Sequence, residues 1–421
     1  MQFYSTRNKT DIVSSGQAIV NSLCPLGGLY MPDPLPTLIA SEIAKYSDIA
    51  EIGYQVISPF FLDSFSKDEL SNACRNAFNF AVPLLTLRED LRVLELIHGP
   101  SLAFKDFGAR FLAELLSLIA NKSGKEFEVL TATSGDTGGA VAAAMFNKPG
   151  IKVSILFPKG RISQFQKGQM TRWGENVRTI EVAGSFDDCQ SMVKQAFLDP
   201  DIKSRPGIHL LSANSINIAR LIAQTVYYVY ALNLLDHRSG IKFVVPSGNL
   251  GNLTAGVFAA NMLGSDCSFV SAHNANLTFP EYLKTAEYKA RPSVQTVSNA
   301  MDVGAPSNFE RLNQYFGSKP ELFRAKIEGF VVSDEDTLEQ IRKTKAEFNY
   351  LACPHTAVAL NAAEKVSGLK VVLATAAPIK FADVLKLAGI ELNDPELSAE
   401  VKPATEQIRA EFSELAGVLI K

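Results

Sequence analysis

A chain of 421 residues, at roughly 150 residues per domain, makes two or three packed units with real cores. Its 41 Lys and Arg against 44 Asp and Glu leave a net charge of -3, with 47% apolar and 20% charged residues, the balance of an ordinary globular protein rather than a disordered one. No basic surplus or basic run offers itself to phosphates, no apolar run reaches the ~18 residues that span a bilayer, and residues 1–7 lack a signal-peptide core. Neither nucleic acid nor membrane is therefore an expected partner, and the cytoplasm is the expected location.

The chain opens with a segment, residues 1–84, punctuated by Pro25, Pro32, Pro34 and Pro36. Ser66 and Glu69 are spaced like a capping box, and the segment reads as a small, mainly helical N-terminal domain. From about residue 90 short β-branched runs alternate with long helical patterns. The runs at 93–97, 128–132, 153–157, 177–182, 209–211, 241–245, 269–272 and 371–374 are expected strands, and strands alternating with helices indicate parallel α/β units. Residues 107–120 form an expected helix with Phe107, Phe111, Leu115 and Leu118 on a broad apolar stripe. Residues 216–235 are apolar nearly all round, which predicts a helix at the centre of the body. After residue 390 comes a charged loop, then a helical pattern over 404–420 that packs back on the body. The expected division is 1–84, 85–390 and 391–421.

The cysteines (Cys24, Cys74, Cys189, Cys267 and Cys353) are five, scattered, and without a C-x-x-C pair; they read as small buried hydrophobes. The histidines (His98, His209, His237, His273 and His355) show no metal-ligand spacing, so no metal is expected.

Three junctions join a strand to a helix through a loop rich in Gly and Ser. In a parallel sheet such loops gather at the carboxyl ends of the strands, where the helix N-termini offer unpaired N–H groups to anions. Thr131 to Ala140 contains the first, with Ser134, Gly135, Asp136 and Thr137. Val245 to Gly256 contains the second, with Gly248, Asn249, Leu250 and Gly251. Neither is a G-x-G-x-x-G fingerprint or a Walker-type loop, and glycines also serve such turns simply by allowing φ > 0 or close packing. The third junction, His98 to Asp106, sets Lys105 at a helix start, where the macrodipole disfavours a cation. Lys105 either reaches solvent or is neutralised as a Schiff base to a carbonyl cofactor. Pyridoxal phosphate would join both observations, because its phosphate needs an anion cradle and its aldehyde a lysine.

Nearly the whole chain resembles the threonine synthase family, pyridoxal-phosphate enzymes of the tryptophan-synthase-β group (fold type II). The resemblance is carried by Tyr4-Ser5-Thr6-Arg7, Gly27-Gly28-Leu29-Tyr30-Met31-Pro32, the segments 98–106 and 132–138, Ser212 to Arg220, Pro246 to Gly256, and Asn299 to Phe309. It implies an α/β fold with two parallel-sheet subdomains. It also implies roles. Lys105 would hold the cofactor and shuttle protons, and Gly248, Asn249, Leu250 and Gly251 would cradle its phosphate. Thr375 would face the pyridine nitrogen. Ser134, Asp136 and Thr137 would take the substrate carboxylate and border the cofactor's ring oxygen. Asn217 and Arg220 would contribute to the substrate phosphate site, with Lys159, Arg161 and Ser163 as companions. The chain departs from the family at Ala377, where His is usual.

The implied reaction converts O-phospho-L-homoserine and water into L-threonine and phosphate, the last step of threonine biosynthesis. The rivals are a phospho-lyase or serine/threonine dehydratase of the same fold, a cofactor-binding protein without turnover, and a dinucleotide oxidoreductase, the last disfavoured by the missing fingerprint. A monomer or small homo-oligomer is expected.

Overall fold

Runs of β-branched residues followed by amphipathic helices bury both faces of a sheet only when the strands run parallel with helices on either side. The computed structural model, which describes residues 1–25, 27–205, 208–236 and 239–420, has this arrangement. Its strands are β1 (Gln2–Ser5), β2 (Asn8–Val13), β3 (Tyr30–Asp33), β4 (Leu84–Arg88), β5 (Leu91–Glu95), β6 (Glu126–Ala132), β7 (Ile151–Pro158), β8 (Val177–Ala183), β9 (Ile208–Ser212), β10 (Lys242–Pro246), β11 (Ser268–His273), β12 (Ile327–Val331), β13 (Lys370–Ala374) and β14 (Glu406–Arg409). Each of the eight expected runs overlaps a strand, though 93–97 runs two residues past the end of β5. One sheet has the order β12-β11-β10-β13-β5-β4, parallel except for the antiparallel pair β4/β5; the other, β14-β8-β7-β6-β9, is parallel throughout. These are the two α/β subdomains.

The N-terminal segment carries the expected capping box at Ser66 and Glu69, and the helices Ile49–Phe61 and Lys67–Ala77. The segment is mainly helical, as expected, and also carries a three-stranded antiparallel sheet, β2-β1-β3. Pro32 argues against a strand, yet β3 lies at the sheet edge, where a missing N–H is tolerated. The segment shares its core with the body: Phe61 and Phe78 both pack on Phe111 of the helix Lys105–Ser123.

Two expectations change. The apolar stretch 216–235 is two helices, Ile218–Ala223 and Thr225–Leu234. At their junction the Gln224 amide donates to Arg220 O at 2.9 Å and the Thr225 hydroxyl to Ile222 O at 2.7 Å, side-chain bonds that intrude on the helical ladder. The second helix is central as expected, with Tyr227 and Tyr228 fully buried. The C-terminal stretch 404–420 is not one helix but the edge strand β14 followed by Phe412–Ile420. β14 extends the sheet beside β8, and Ile408, Leu415 and Leu419 close over Ile180 and Val182. The gain is a row of ladder hydrogen bonds that a helix there could not make.

All five cysteines are buried and free. Among the described residues no helix is long and apolar enough to cross a membrane, and no group of three or more His, Cys, Asp or Glu could hold a metal ion. His237 lies outside the described residues.

Candidate active site

The two sheets meet with the carboxyl ends of their strands around one cavity of about 110 Å³. The loop after β5 brings Lys105, the loop after β6 brings Ser134, Asp136 and Thr137, and the segment after β9 brings Asn214, Ser215 and Arg220. The loop after β10 brings Gly248, Asn249 and Gly251, and β13 ends at Thr375. Residues more than 250 positions apart thus face one space because parallel strands all present the same end. A larger cleft of about 300 Å³ adjoins it, sharing Ser134 and Phe186 as walls.

Lys105 is the first residue of the helix Lys105–Ser123. Its loop is clamped to that of Thr375: Phe104 N donates to Thr375 O and Ala377 N to Leu102 O, each at 2.9 Å, around a bridge between Ala103 and Ala376. Ala377 thus serves through its backbone. The Lys105 side chain is mostly buried, 15% exposed; its ammonium lies 3.9 Å from the Asp136 carboxylate and makes no hydrogen bond among the described residues. Burial lowers its pKa to about 8, with Asp136 opposing and Lys380 and Arg220 adding to the fall. An amine so placed is neutral often enough near pH 8 to act as nucleophile and base.

Both Gly-rich loops end in unpaired donors. Among the described residues the N–H groups of Gly248, Asn249, Leu250 and Gly251 donate to nothing, at the start of the helix Gly251–Leu263. Leu250 is fully buried at φ +59°, a conformation uncommon for leucine that turns these donors toward one another. The loop is tied from behind by Asn252, whose side chain bonds Ser247 Oγ at 2.7 Å and Pro246 O at 2.9 Å. In the first loop the N–H groups of Ser134, Asp136 and Thr137 are likewise free, while those of Gly135 and Gly138 are both taken by Thr133 Oγ1 at 2.9 Å. Gly135, at φ +127°, admits no other residue, since a Cβ there would meet the Gln166 amide at 2.5 Å. The concave rows of N–H groups form two cradles for anions.

The expected site residues do not all arrive in the expected way. The Asp136 side chain is no receptor for a carboxylate. Burial works to raise its pKa, but Lys380, at 3.0 Å, and then Lys105 overcome this and hold it ionised well below the usual carboxylate range. Its carboxylate is thus already matched by cations, while its N–H is left free as a donor. Asn217 is not in the cavity: its amide bonds Ile19 O, Ser22 Oγ and Ser212 O, and its oxygen caps the helix Ile218–Ala223. It ties the N-terminal domain to the segment that carries Arg220. Arg161 and Ser163 line the adjoining cleft, and Lys159 lines neither space.

Arg220 lines the cavity and has no carboxylate partner among the described residues. Its guanidinium donates to Ala213 O and, at 3.5 Å, to Lys105 O, and its buried Nε has no acceptor. Burial lowers its pKa to about 10, with Asp106 opposing, so it stays charged. A structural ion pair is the ordinary fate of an arginine on an apolar helix, and this one lacks it. Thr375, whose hydroxyl also has no partner among the described residues, lines the same cavity.

Two residues had no role in the sequence reading: His355 in the cavity wall, and Lys380 behind Asp136. His355 is the second residue of the helix Pro354–Ala363; its Nε2 accepts from Ala300 N at 3.1 Å and its ring packs on Phe381. Burial lowers it to about 4, so it is neutral with its proton on Nδ1. Lys380 is fully buried two residues past Pro378. A lysine set between Ile379 and Phe381 was a usable signal; for His355 the sequence carried none, because only the fold brings its helix beside Ala300.

Comparison with known proteins adds to this geometry. The family described as pyridoxal-phosphate dependent enzyme matches residues 86–375, and that described as threonine synthase N terminus matches residues 2–78. The chain is 38% identical over 408 residues to threonine synthase of Escherichia coli, covering 95% of this chain and 94% of that one. It is 32% identical over 476 residues to that of Schizosaccharomyces pombe, covering 96% and 92%. Its structure matches the crystal structure of Escherichia coli threonine synthase with a TM-score of 0.92 at 37% identity, over 100% of this chain and 99% of that one. The pyridoxal-phosphate-bound threonine synthase of Brucella melitensis gives 0.91 at 31% identity, with the same coverage.

Proposed function

The chain belongs to the threonine synthase family, and from that premise we propose how its own residues carry the family's reaction, the conversion of O-phospho-L-homoserine and water into L-threonine and phosphate. The residues present fit pyridoxal phosphate, the cofactor of the family: a buried amine that titrates near 8 stands beside a row of unpaired N–H groups at a helix start. Lys105 holds the aldehyde, Gly248 to Gly251 hold the phosphate, and Thr375 offers a neutral hydroxyl to the ring nitrogen. When bound, the cofactor supplies the electron sink for carbanions at Cα and Cβ.

The protein's part is to bind, orient and move protons. The free N–H groups of Ser134, Asp136 and Thr137 hold the substrate carboxylate. The guanidinium of Arg220 takes the substrate phosphate, for which its planar fork and permanent charge suit it, and stabilises it as it leaves from Cγ. Lys105 would remove protons from Cα and Cβ and return them at Cγ and Cα, while water adds at Cβ. His355, neutral at working pH, closes the cavity rather than carrying charge. Two cations, Lys105 and Arg220, line the cavity against the carboxylate of Asp136, which Lys380 already pairs from behind, and make it receptive to a substrate with two anionic ends. The enzyme acts as a cytoplasmic protein, alone or as a small homo-oligomer.

The observation that carries this assignment of roles is the juxtaposition of the Lys105 amine with two cradles of unpaired N–H groups in one cavity. The test is to supply O-phospho-L-homoserine, measure phosphate release and identify the amino-acid product. Equal amounts of phosphate and threonine are expected; phosphate with a 2-oxo acid instead would make the protein a phospho-lyase.

A further inference from the structure

Lys380 has no part in the reaction described above, yet it is placed as carefully as any residue of the cavity. Its Nζ donates to Ser101 O at 2.6 Å and pairs with Asp136 Oδ1 at 3.0 Å. Its own backbone is pinned from two sides, its N–H on Ala377 O at 3.2 Å and its carbonyl under the Ser163 hydroxyl at 2.9 Å. The Gln166 amide fixes the same Asp136 oxygen at 3.0 Å. The other oxygen of Asp136 lies 3.9 Å from Lys105 Nζ. One carboxylate therefore stands between two ammonium groups and makes the closer contact with the one that does no chemistry. A buried ammonium is costly, and an apolar side chain of similar volume would often be no less stable. Its charge calls for a use.

We propose that Lys380 is a positioning residue for Lys105: by claiming the Asp136 carboxylate and standing behind it as a second cation, it keeps Lys105 from being locked as an ammonium in a contact ion pair. The amine is then free to hold the cofactor and to carry protons. The inference rests on the reading of Lys105 as the cofactor-holding base. The charged and titratable groups that face Lys105 are few. Asp136 favours its ammonium form; Lys380 and Arg220 disfavour it. His355 is neutral. Asp106, on the same helix, is raised by burial to about 6 against its bond from Ser101 N and points away toward that loop. Removing Lys380 removes one of two repelling cations and leaves Asp136 wholly to Lys105, so both changes act in the same direction.

The full chain is stripped of cofactor, and the rate at which it recaptures pyridoxal phosphate is followed by absorbance as a function of pH. Borohydride reduction and peptide mapping identify the lysine that was labelled. The acid limb of this profile reports the neutral amine of Lys105, and in the unaltered protein it is expected near 8. In Lys380→Met, and in Lys380→Gln, which keeps a donor for Ser101 O, the limb moves up by about one pH unit, roughly a tenfold loss of neutral amine at any pH below it. Lys380→Arg, which keeps the charge, leaves the limb where it was. A purely structural lysine would alter stability without moving the limb, so unchanged midpoints in the Met and Gln variants overturn the proposal. So does an unaltered protein whose limb lies at the ordinary lysine value, a result that needs no variant to fold. A label on another lysine instead overturns the reading of Lys105 itself.

Discussion

Replacing Arg220 by Met takes the guanidinium out of the cavity while nearly preserving side-chain length, and stability and catalysis should respond very differently. The guanidinium gives up its bond to Ala213 O and a marginal one, at 3.5 Å, to Lys105 O; a hydrogen bond to a charged group is worth about 1.5–3 kcal/mol. Against this, its Nε is buried without an acceptor and, among the described residues, no carboxylate pairs with it directly, a penalty of comparable size that methionine does not carry. The free energy of unfolding should therefore change by no more than about 1 kcal/mol. The substrate's phosphate, by contrast, loses its charged donor inside a low-dielectric cavity, which costs about 10²- to 10³-fold in rate. The assay is kcat/KM for O-phospho-L-homoserine by phosphate release, with bound pyridoxal phosphate measured by absorbance and inorganic phosphate tested as a product inhibitor. The variant should keep its cofactor, lose activity by that factor, and bind inorganic phosphate more weakly. Near-normal kcat/KM with native-like stability would refute the reasoning and return Arg220 to the role of a tie between the Ala213 and Lys105 carbonyls.

Gly248→Ala places a Cβ 2.8 Å from Met301 Cα; overpacking of this kind costs about 1–3 kcal/mol, so equilibrium dialysis should show pyridoxal phosphate binding weakened by about 10- to 100-fold, and unaltered affinity would remove the loop from the cofactor's phosphate. Thr375→Asp sets a formal charge where a hydroxyl stood, which should protonate the ring nitrogen and change both the absorption spectrum and the ratio of side products, with cofactor retained; an unchanged spectrum and ratio would mean that Thr375 does not face that nitrogen. Burial lowers His273 to about 3 and His355 to about 4, whereas an unfolded histidine titrates near 6.5. Since the unfolded chain then binds the extra protons, the stability from keeping both neutral is complete above about 6.5 and is lost as pH falls through about 4 and then about 3. Urea midpoints should drop across that interval, and a flat profile would contradict the burial of both rings.

Much of the site was legible because its signals are local. A lysine at a helix start, and glycine-rich strand-to-helix loops at Ser134 to Thr137 and Gly248 to Gly251, are chemical statements made within a few residues. The eight runs that became strands were equally legible, since a strand covered on both faces must be apolar along its length. The sequence did not betray β1 to β3, whose short strands include an edge proline, or β14, which is a strand only because β8 offers it an edge to pair with. The expected helix over 216–235 breaks at Gln224 and Thr225 for a reason equally invisible in an apolar pattern, the side-chain bonds to Arg220 O and Ile222 O.

The fold class, the family and the atoms able to do chemistry were all readable before any fold was known: an amine, a guanidinium, a hydroxyl and two sets of backbone donors. The tertiary structure alone decided their electrostatic meaning. Asp136 reads as a substrate contact in its motif, yet with Lys380 brought 3.0 Å away from the far end of the chain it is a counter-ion. Asn217 reads as a phosphate ligand beside Arg220, yet it is spent on Ile19, Ser22 and Ser212. The physical reason is one of range. Backbone conformation and hydrophobic periodicity are set by neighbours within a turn or a strand, whereas the charge state of a buried group depends on which other charges packing sets within a few ångströms of it, in a medium too poorly polarisable to screen them.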